Sequence, residues 1–156
     1  MAFEATRDGI ERFAQELITG IQKDMVDRGK NASHNLINSI KPRFIVSLDG
    51  FTTEFEALEY WKEAGSGRKP GKVPKKFYQT IQQWMDAKGG MTHLSAFLIA
   101  QKIGREGSKD WREGKPNIFT TRIDQMEPQL QGHISDGMEI DITKPVLQAL
   151  KEMERV

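Results

Sequence analysis

Residues 41–56 read KPRFIVSLDGFTTEFE, Lys41 to Glu56, and the choice between an all-helical chain and a mixed one turns on them. Phe44, Val46 and Leu48 alternate with Ile45 and Ser47, which is the period of a strand. Asp49-Gly50 then supplies a two-residue hairpin turn, and Phe51, Thr53 and Phe55 resume the alternation. The spacing predicts a β-hairpin. Pro42 stops whatever helix precedes it, because proline lacks the N–H that an interior turn would use.

Upstream, from Ala2 to about Met25, Ile10, Phe13, Leu17, Ile21 and Met25 fall on one face of a helix, with Glu11, Arg12, Glu16, Lys23 and Asp24 mostly on the other. Gly29 and Asn31 interrupt this long amphipathic helix, and Ala32 to Ile40 predicts a further turn or two. Downstream, Arg68, Lys69, Lys72, Lys75 and Lys76 follow one another with no acidic residue among them. Gly65, Gly67 and Gly71 argue against a stiff element there, and Pro70 and Pro74 keep the backbone extended. A mobile, cationic surface loop is expected at about 65–74. Pro74 opens a helix carrying Phe77, Ile81, Trp84 and Met85, closed by Gly89-Gly90.

Thr92 or Ser95 caps the next helix, with Leu94, Phe97, Leu98 and Ile103 as its apolar positions. A second flexible, mainly basic loop is expected at about 104–116. Lys102, Arg105, Lys109, Arg112 and Lys115 make it basic, diluted by Glu106, Asp110 and Glu113. From Thr120 the spacing of Ile123, Met126, Leu130 and Ile134 predicts a helix, kinked or starting late at Pro128 and stopped at Gly137. Met138, Ile140 and Ile142 alternate as a third strand would, and Thr143 caps a last helix through Val146, Leu147 and Leu150. The expected fold is α+β in a single domain, 1–156. A small antiparallel sheet is flanked by a long N-terminal helix and several shorter ones.

Composition narrows function. The 156 residues are 37% hydrophobic with a mean hydropathy of -0.58, a balance that predicts little exposed apolar surface and a monomer or weak oligomer without partners. The net charge of +1 gives no overall drive toward nucleic acid. Local charge is another matter: a basic middle and an acidic segment at Asp136, Glu139 and Asp141 suit copies meeting head to tail. With no cysteine, disulfides, thiolate nucleophiles and cysteine metal sites are excluded. The absence of a signal-length or membrane-length apolar run predicts a protein made in a cytoplasm, with no membrane partner.

The search for chemistry returns no catalytic, cofactor or metal site. A phosphate-cradling loop ending at Gly71-Lys72 would need Gly at 66 and Ser or Thr at 73, where Ser66 and Val73 stand. His34, His93 and His133 form no metal-ligating pair. Asp136, Glu139 and Asp141 match no calcium loop and read as a solvated acidic edge. Glu54, Glu56, Glu59 and Glu63 have no evident cleft to part their pKa values. Trp84 belongs to an apolar stripe, whereas Trp61 and Trp111 flank loops and suit an interface or the stacking of bases.

The order of these pieces resembles the small head-to-tail joining and tail-completion (neck) proteins of tailed bacteriophages. One stretch that carries the likeness is Gly29-Lys30-Asn31-Ala32-Ser33-His34-Asn35-Leu36-Ile37-Asn38-Ser39-Ile40, leading to the first strand. Next come the hairpin running into Tyr60-Trp61 and the Gly65–Pro74 loop. The last runs from Ile81-Gln82-Gln83-Trp84-Met85 through Lys88-Gly89 to Leu98-Ile99-Ala100-Gln101-Lys102-Ile103, Gly104 to Lys109, and Asn117-Ile118-Phe119. Together they span most of residues 10–123, and the C-terminal third departs from the pattern. The resemblance implies a non-enzymatic structural protein of the virion, a ring subunit linking the portal region to the tail. Its partners would be copies of itself, portal or adaptor proteins, tail or tail-terminator proteins, and genomic DNA in the lumen. The expected assembly interface is Arg68, Lys69, Lys72, Lys75 and Arg105, with Trp61 and Trp111 as anchors. The alternative is a small nucleic-acid-binding module using the same loops and tryptophans.

Overall fold

Ile10, Phe13, Leu17, Ile21 and Met25 are all buried along one helix, α1 (Glu4–Asp27), as their spacing requires. The computed structural model describes residues 3–30, 35–47, 50–58, 61–89 and 95–153. The expectations placed on Asn31, Ala32, His34, Leu48, Asp49, Glu59, Tyr60, Gly90, Thr92, His93 and Leu94 lie outside those residues. After α1 come α2 (Asn35–Ser39), β1 (Lys41–Ser47), β2 (Gly50–Glu56), α3 (Trp61–Ser66), α4 (Phe77–Lys88), α5 (Ala96–Glu106), α6 (Lys109–Arg112) and α7 (Ile118–Met153). The two strands pair as an antiparallel sheet. On β2, Phe51 and Thr53 are half-buried and alternate with the exposed Gly50, Thr52 and Glu54. This is the α+β fold, dominated by helix.

Two compact units divide the chain. The first comprises Met1–Gly20, Pro42–Phe55 and Arg122–Val156. Within it α1 and α7 run antiparallel, because Thr6 lies against Gly137, Gly9 against His133 and Gly20 against Arg122. A Cβ at Gly137 would land on the Thr6 Cα, and one at Gly9 would sit 2.8 Å from the His133 carbonyl oxygen. The two glycines are what lets the helices approach so closely. Ile10, Phe13, Ala14, Leu17, Ile18 and Met126 are buried in this unit.

The second unit comprises Ile21–Lys41 and Glu56–Thr121. Ile21, Met25, Leu36, Ile37, Ile40, Ile118 and Phe119 are buried there. Ile81, Met85, Ala96 and Ala100 form a cluster joining α4 to α5, with Phe77, Trp84, Ile99 and Ile103 packed on its edge. The Arg28 guanidinium donates to the Pro116 carbonyl at 2.8 Å. Asn117 caps α7, its Oδ1 accepting from the Phe119 N–H at 2.9 Å.

Four expectations are corrected. The loop expected at about 104–116 holds the end of α5, through Glu106, and the whole of α6, Lys109–Arg112. Met138, Ile140 and Ile142 are not a third strand: α7 continues through them to Met153, with Pro128 and Pro145 inside it and Gly137 at a helix contact rather than a stop. The reason is the face turned to α1, which includes Met126, His133, Gly137 and Asp141. That face keeps helical spacing although only some of its members are apolar. The stretch at Gly65 is not loop, because α3 runs to Ser66 and Gly65 is buried against Asn117, where a Cβ would meet the amide at 2.7 Å. Finally, apolar surface is exposed in quantity. Every residue from Ile142 to Met153 is exposed, including Ile142, Val146, Leu147 and Leu150 at about half their area and Met153 at 73%.

Candidate functional site

The basic loop after α3 is fastened along its backbone. The Arg68 N–H donates to Ser108 Oγ at 2.8 Å, the Arg68 carbonyl accepts from the Ser108 N–H at 2.8 Å, and the Gly71 N–H donates to the Gly104 carbonyl at 2.8 Å. Gly67 permits this contact. Its φ is +86°, and a Cβ there would lie 2.5 Å from both Ser108 Oγ and the Trp111 backbone nitrogen. The segment expected to be a free loop is therefore tied to the turn between α5 and α6.

Trp111, 44% exposed, lies over Gly107, whose φ is +81° and whose missing Cβ would strike the indole at 2.7 Å. It forms one wall of a depression of about 420 Å³ whose cations are Lys62, Arg68, Lys69 and Lys72, with Glu63, Ser66 and Pro70 completing the lining. Arg68 is half-buried and braced. Its guanidinium stacks on Phe77 at 5.1 Å, its Nη2 donates to the Lys72 carbonyl at 3.0 Å, and Glu63 lies 3.8 Å from Nη1. Its Nε is buried with no hydrogen-bond partner among the described residues. A second depression, of about 700 Å³, shares Gly71 and Lys72 with the first and adds Val73, Leu98, Lys102 and Arg105.

Of the seven residues expected at an interface, Arg68, Lys69, Lys72 and Trp111 meet in one depression and Arg105 lines its neighbour. Lys75 lies in the turn before α4 and lines neither. Trp61 is turned inward: its indole packs edge-on against buried Phe119 at 5.2 Å, with the Lys62 ammonium over its face at 5.6 Å. Its role in the fold is packing in the second unit. Lys62 and Ser108 were missed by sequence reasoning, and Lys102 was read as a cation of the second basic loop without being assigned to the interface. Lys62 could have been found from helical spacing had α3 been recognised, since it lies one turn before Ser66, whose hydroxyl donates back to its carbonyl.

Charge around the platform is partly balanced. Arg105 donates to Glu106 at 2.8 Å, and this hydrogen bond, with the charges of Lys102, Arg105 and Arg112, holds the Glu106 carboxyl below the usual glutamate range. Beneath it, buried Asp110 is paired with Lys30 at 2.7 Å and Lys115 at 3.3 Å. Burial alone would raise the Asp110 pKa, but these two ammonium groups outweigh it and lower the value.

The acidic segment also has an internal task. In the first unit, Asp141 accepts from the Ala5 N–H at 2.9 Å, the Thr6 N–H at 2.8 Å and the Thr6 hydroxyl at 2.7 Å. Its carboxylate thus occupies the N-terminus of α1, where free N–H groups and the helix dipole favour negative charge. Partial burial opposes ionisation there, yet the hydrogen bonds from Thr6 and Ala5 leave its pKa lowered. The expectation of a solvated edge thus fits Asp136 and Glu139, which are exposed, and not Asp141.

Among the described residues no three His, Asp or Glu side chains gather as a metal ion would require. No helix among them is long and apolar enough to cross a membrane. Chemically, the platform offers several cations around an aromatic wall, suited to holding an extended anionic surface. No family model, curated protein or solved structure matches the chain.

Proposed function

We propose that the protein is a structural component of a tailed-bacteriophage virion, a ring subunit of the connector between portal and tail. The observation that carries the reading is the C-terminal part of α7, exposed from Ile142 to Met153 with five large apolar side chains. A monomer rarely leaves so much contiguous apolar surface in water, whereas an assembly subunit covers it with a neighbour. The fastened basic platform gives such a subunit a second, differently charged face. The order of sequence blocks, which resembles that of neck proteins, suggests the biological setting. Its site of action is then the virion, after synthesis in the host cytoplasm, and its partners are its own copies and the portal-side and tail-side proteins.

Deleting the gene from the phage that encodes it tests the reading. Filled heads and separate tails should accumulate, and supplying the protein in trans should restore joined particles. Normal tailed, infectious virions without the protein would overturn it.

The nucleic-acid module is the second reading, favoured by the four cations around Trp111. Its test is DNA titration followed by Trp111 fluorescence across a salt series, since phosphate contacts weaken steeply as salt rises.

A further inference from the structure

The first unit carries an unfilled groove as well as an uncovered helix. The groove holds about 430 Å³ between Phe13 of α1, Phe51 and Phe55 of β2, and Ile123 and Leu130 of α7, with Glu127 as its charged wall residue. A cavity of roughly 150 Å³ accepts one benzene-sized group, so this one has room for two or three aliphatic side chains. Phe55 and Ile123 are still exposed at 40% and 44%, so the groove is incompletely covered within one copy.

We propose that the stretch of α7 from Ile142 to Met153 of one copy seats in this groove of the next copy. At about 100° per residue, Ile142, Met153, Val146, Leu150 and Leu147 spread over an arc of about 140°. Pairing with a single helix covers only a narrow seam. An arc this wide needs walls on two sides, and the groove between helix and sheet provides them. Charge agrees with the fit. Lys144 and Lys151 border the arc beside Leu147, while the groove is lined by one carboxylate and no base. A net charge of +1 sets up little repulsion between copies. Because helix and groove are different surfaces of one molecule, the contact is heterologous and propagates into a ring or an open helix. Closure into a ring rests on the function proposed above; the contact itself is a property of the purified chain.

The test therefore uses purified full-length protein. Light scattering should show oligomers at micromolar concentration. The double variants Leu147→Asp/Leu150→Asp, on the helix, and Phe55→Asp/Ile123→Asp, in the groove, should each weaken assembly at least tenfold. Mixed together, they should form a one-to-one pair, since one supplies an intact groove and the other an intact helix. As the chain has no cysteine, Leu150→Cys copies mixed with Glu127→Cys copies should give a mixed disulfide on mild oxidation. That readout holds even where an aspartate variant misfolds. A monomeric wild type overturns the proposal, as does a mixture in which Leu150→Cys copies link only to one another, the mark of helix-on-helix pairing. Should the contact pass while phage lacking the gene assembles normally, the connector reading alone fails.

Discussion

Asp110 and Asp141 each anchor distant backbone through a single carboxylate. Asp110 is 8% exposed and neutralises Lys30 and Lys115 together, so Asp110→Ala leaves a half-buried ammonium without its partner. A loss of about 1–3 kcal/mol is expected, read by chemical denaturation. The pH dependence follows from the lowered folded pKa of both aspartates. Their contribution is complete above the ordinary unfolded value of about 3.9 and disappears as pH falls through the lower folded values. Asp110→Asn should therefore flatten the acid limb of the stability curve below about pH 4 and leave its alkaline limb in place. On the platform, Lys69→Ser/Lys72→Ser should change the melting temperature little, since both side chains are exposed. On the connector reading proposed above, virion completion should fail in that variant; normal infectious particles would remove the platform from the proposed interface.

Helix α7 was the element least legible in the sequence. The apolar pattern of Ile123, Met126, Leu130 and Ile134 announces its first half. Beyond that, the helix keeps to α1 through His133, Gly137 and Asp141, which a search for apolar periodicity passes over. Met138, Ile140 and Ile142 alternate simply because they occupy the exposed remainder of the helix. By contrast α1 was legible because Ile10, Phe13, Leu17, Ile21 and Met25 meet the interior, and the strands were legible in the alternation that leaves Phe44, Phe51 and Thr53 half-buried. The platform was legible in composition and not in assembly. Arg68 and Trp111 come together through the Arg68–Ser108 backbone pairing, forty residues apart in sequence, which no local pattern announces. Gly137→Ala tests the close helix approach. The added methyl must displace the Thr6 backbone, and a destabilisation of about 1–3 kcal/mol is expected, measured by thermal melting. Unchanged stability would mean that the helices separate at no cost.

For the whole molecule, a mean hydropathy of -0.58 concealed how apolar surface is distributed. A polar average is compatible with a greasy helix when the charges lie elsewhere, so the small exposed apolar surface that composition predicted is not what the described residues show. The same averaging governs nucleic-acid binding. With a net charge of +1, the isolated chain is expected to bind DNA only in the weak non-specific range, about 10⁻⁴ to 10⁻⁶ M at physiological salt. Sub-micromolar, strongly salt-dependent binding would move the reading to the nucleic-acid module.

The antiparallel pairing of α1 with α7 has a consequence for synthesis. At roughly 5–20 residues per second, a ribosome that has completed α1 needs several seconds more before Arg122 onward is made. Through that interval Phe13 and Leu17 wait without the helix that covers them, while Ile21–Lys41 and Glu56–Thr121 can already gather into their own unit. Translation speed over residues 56–121 thus sets how long a bare apolar face is offered to chaperones or to other nascent chains. Slowing codons there should lower soluble yield without altering a single residue of the finished protein.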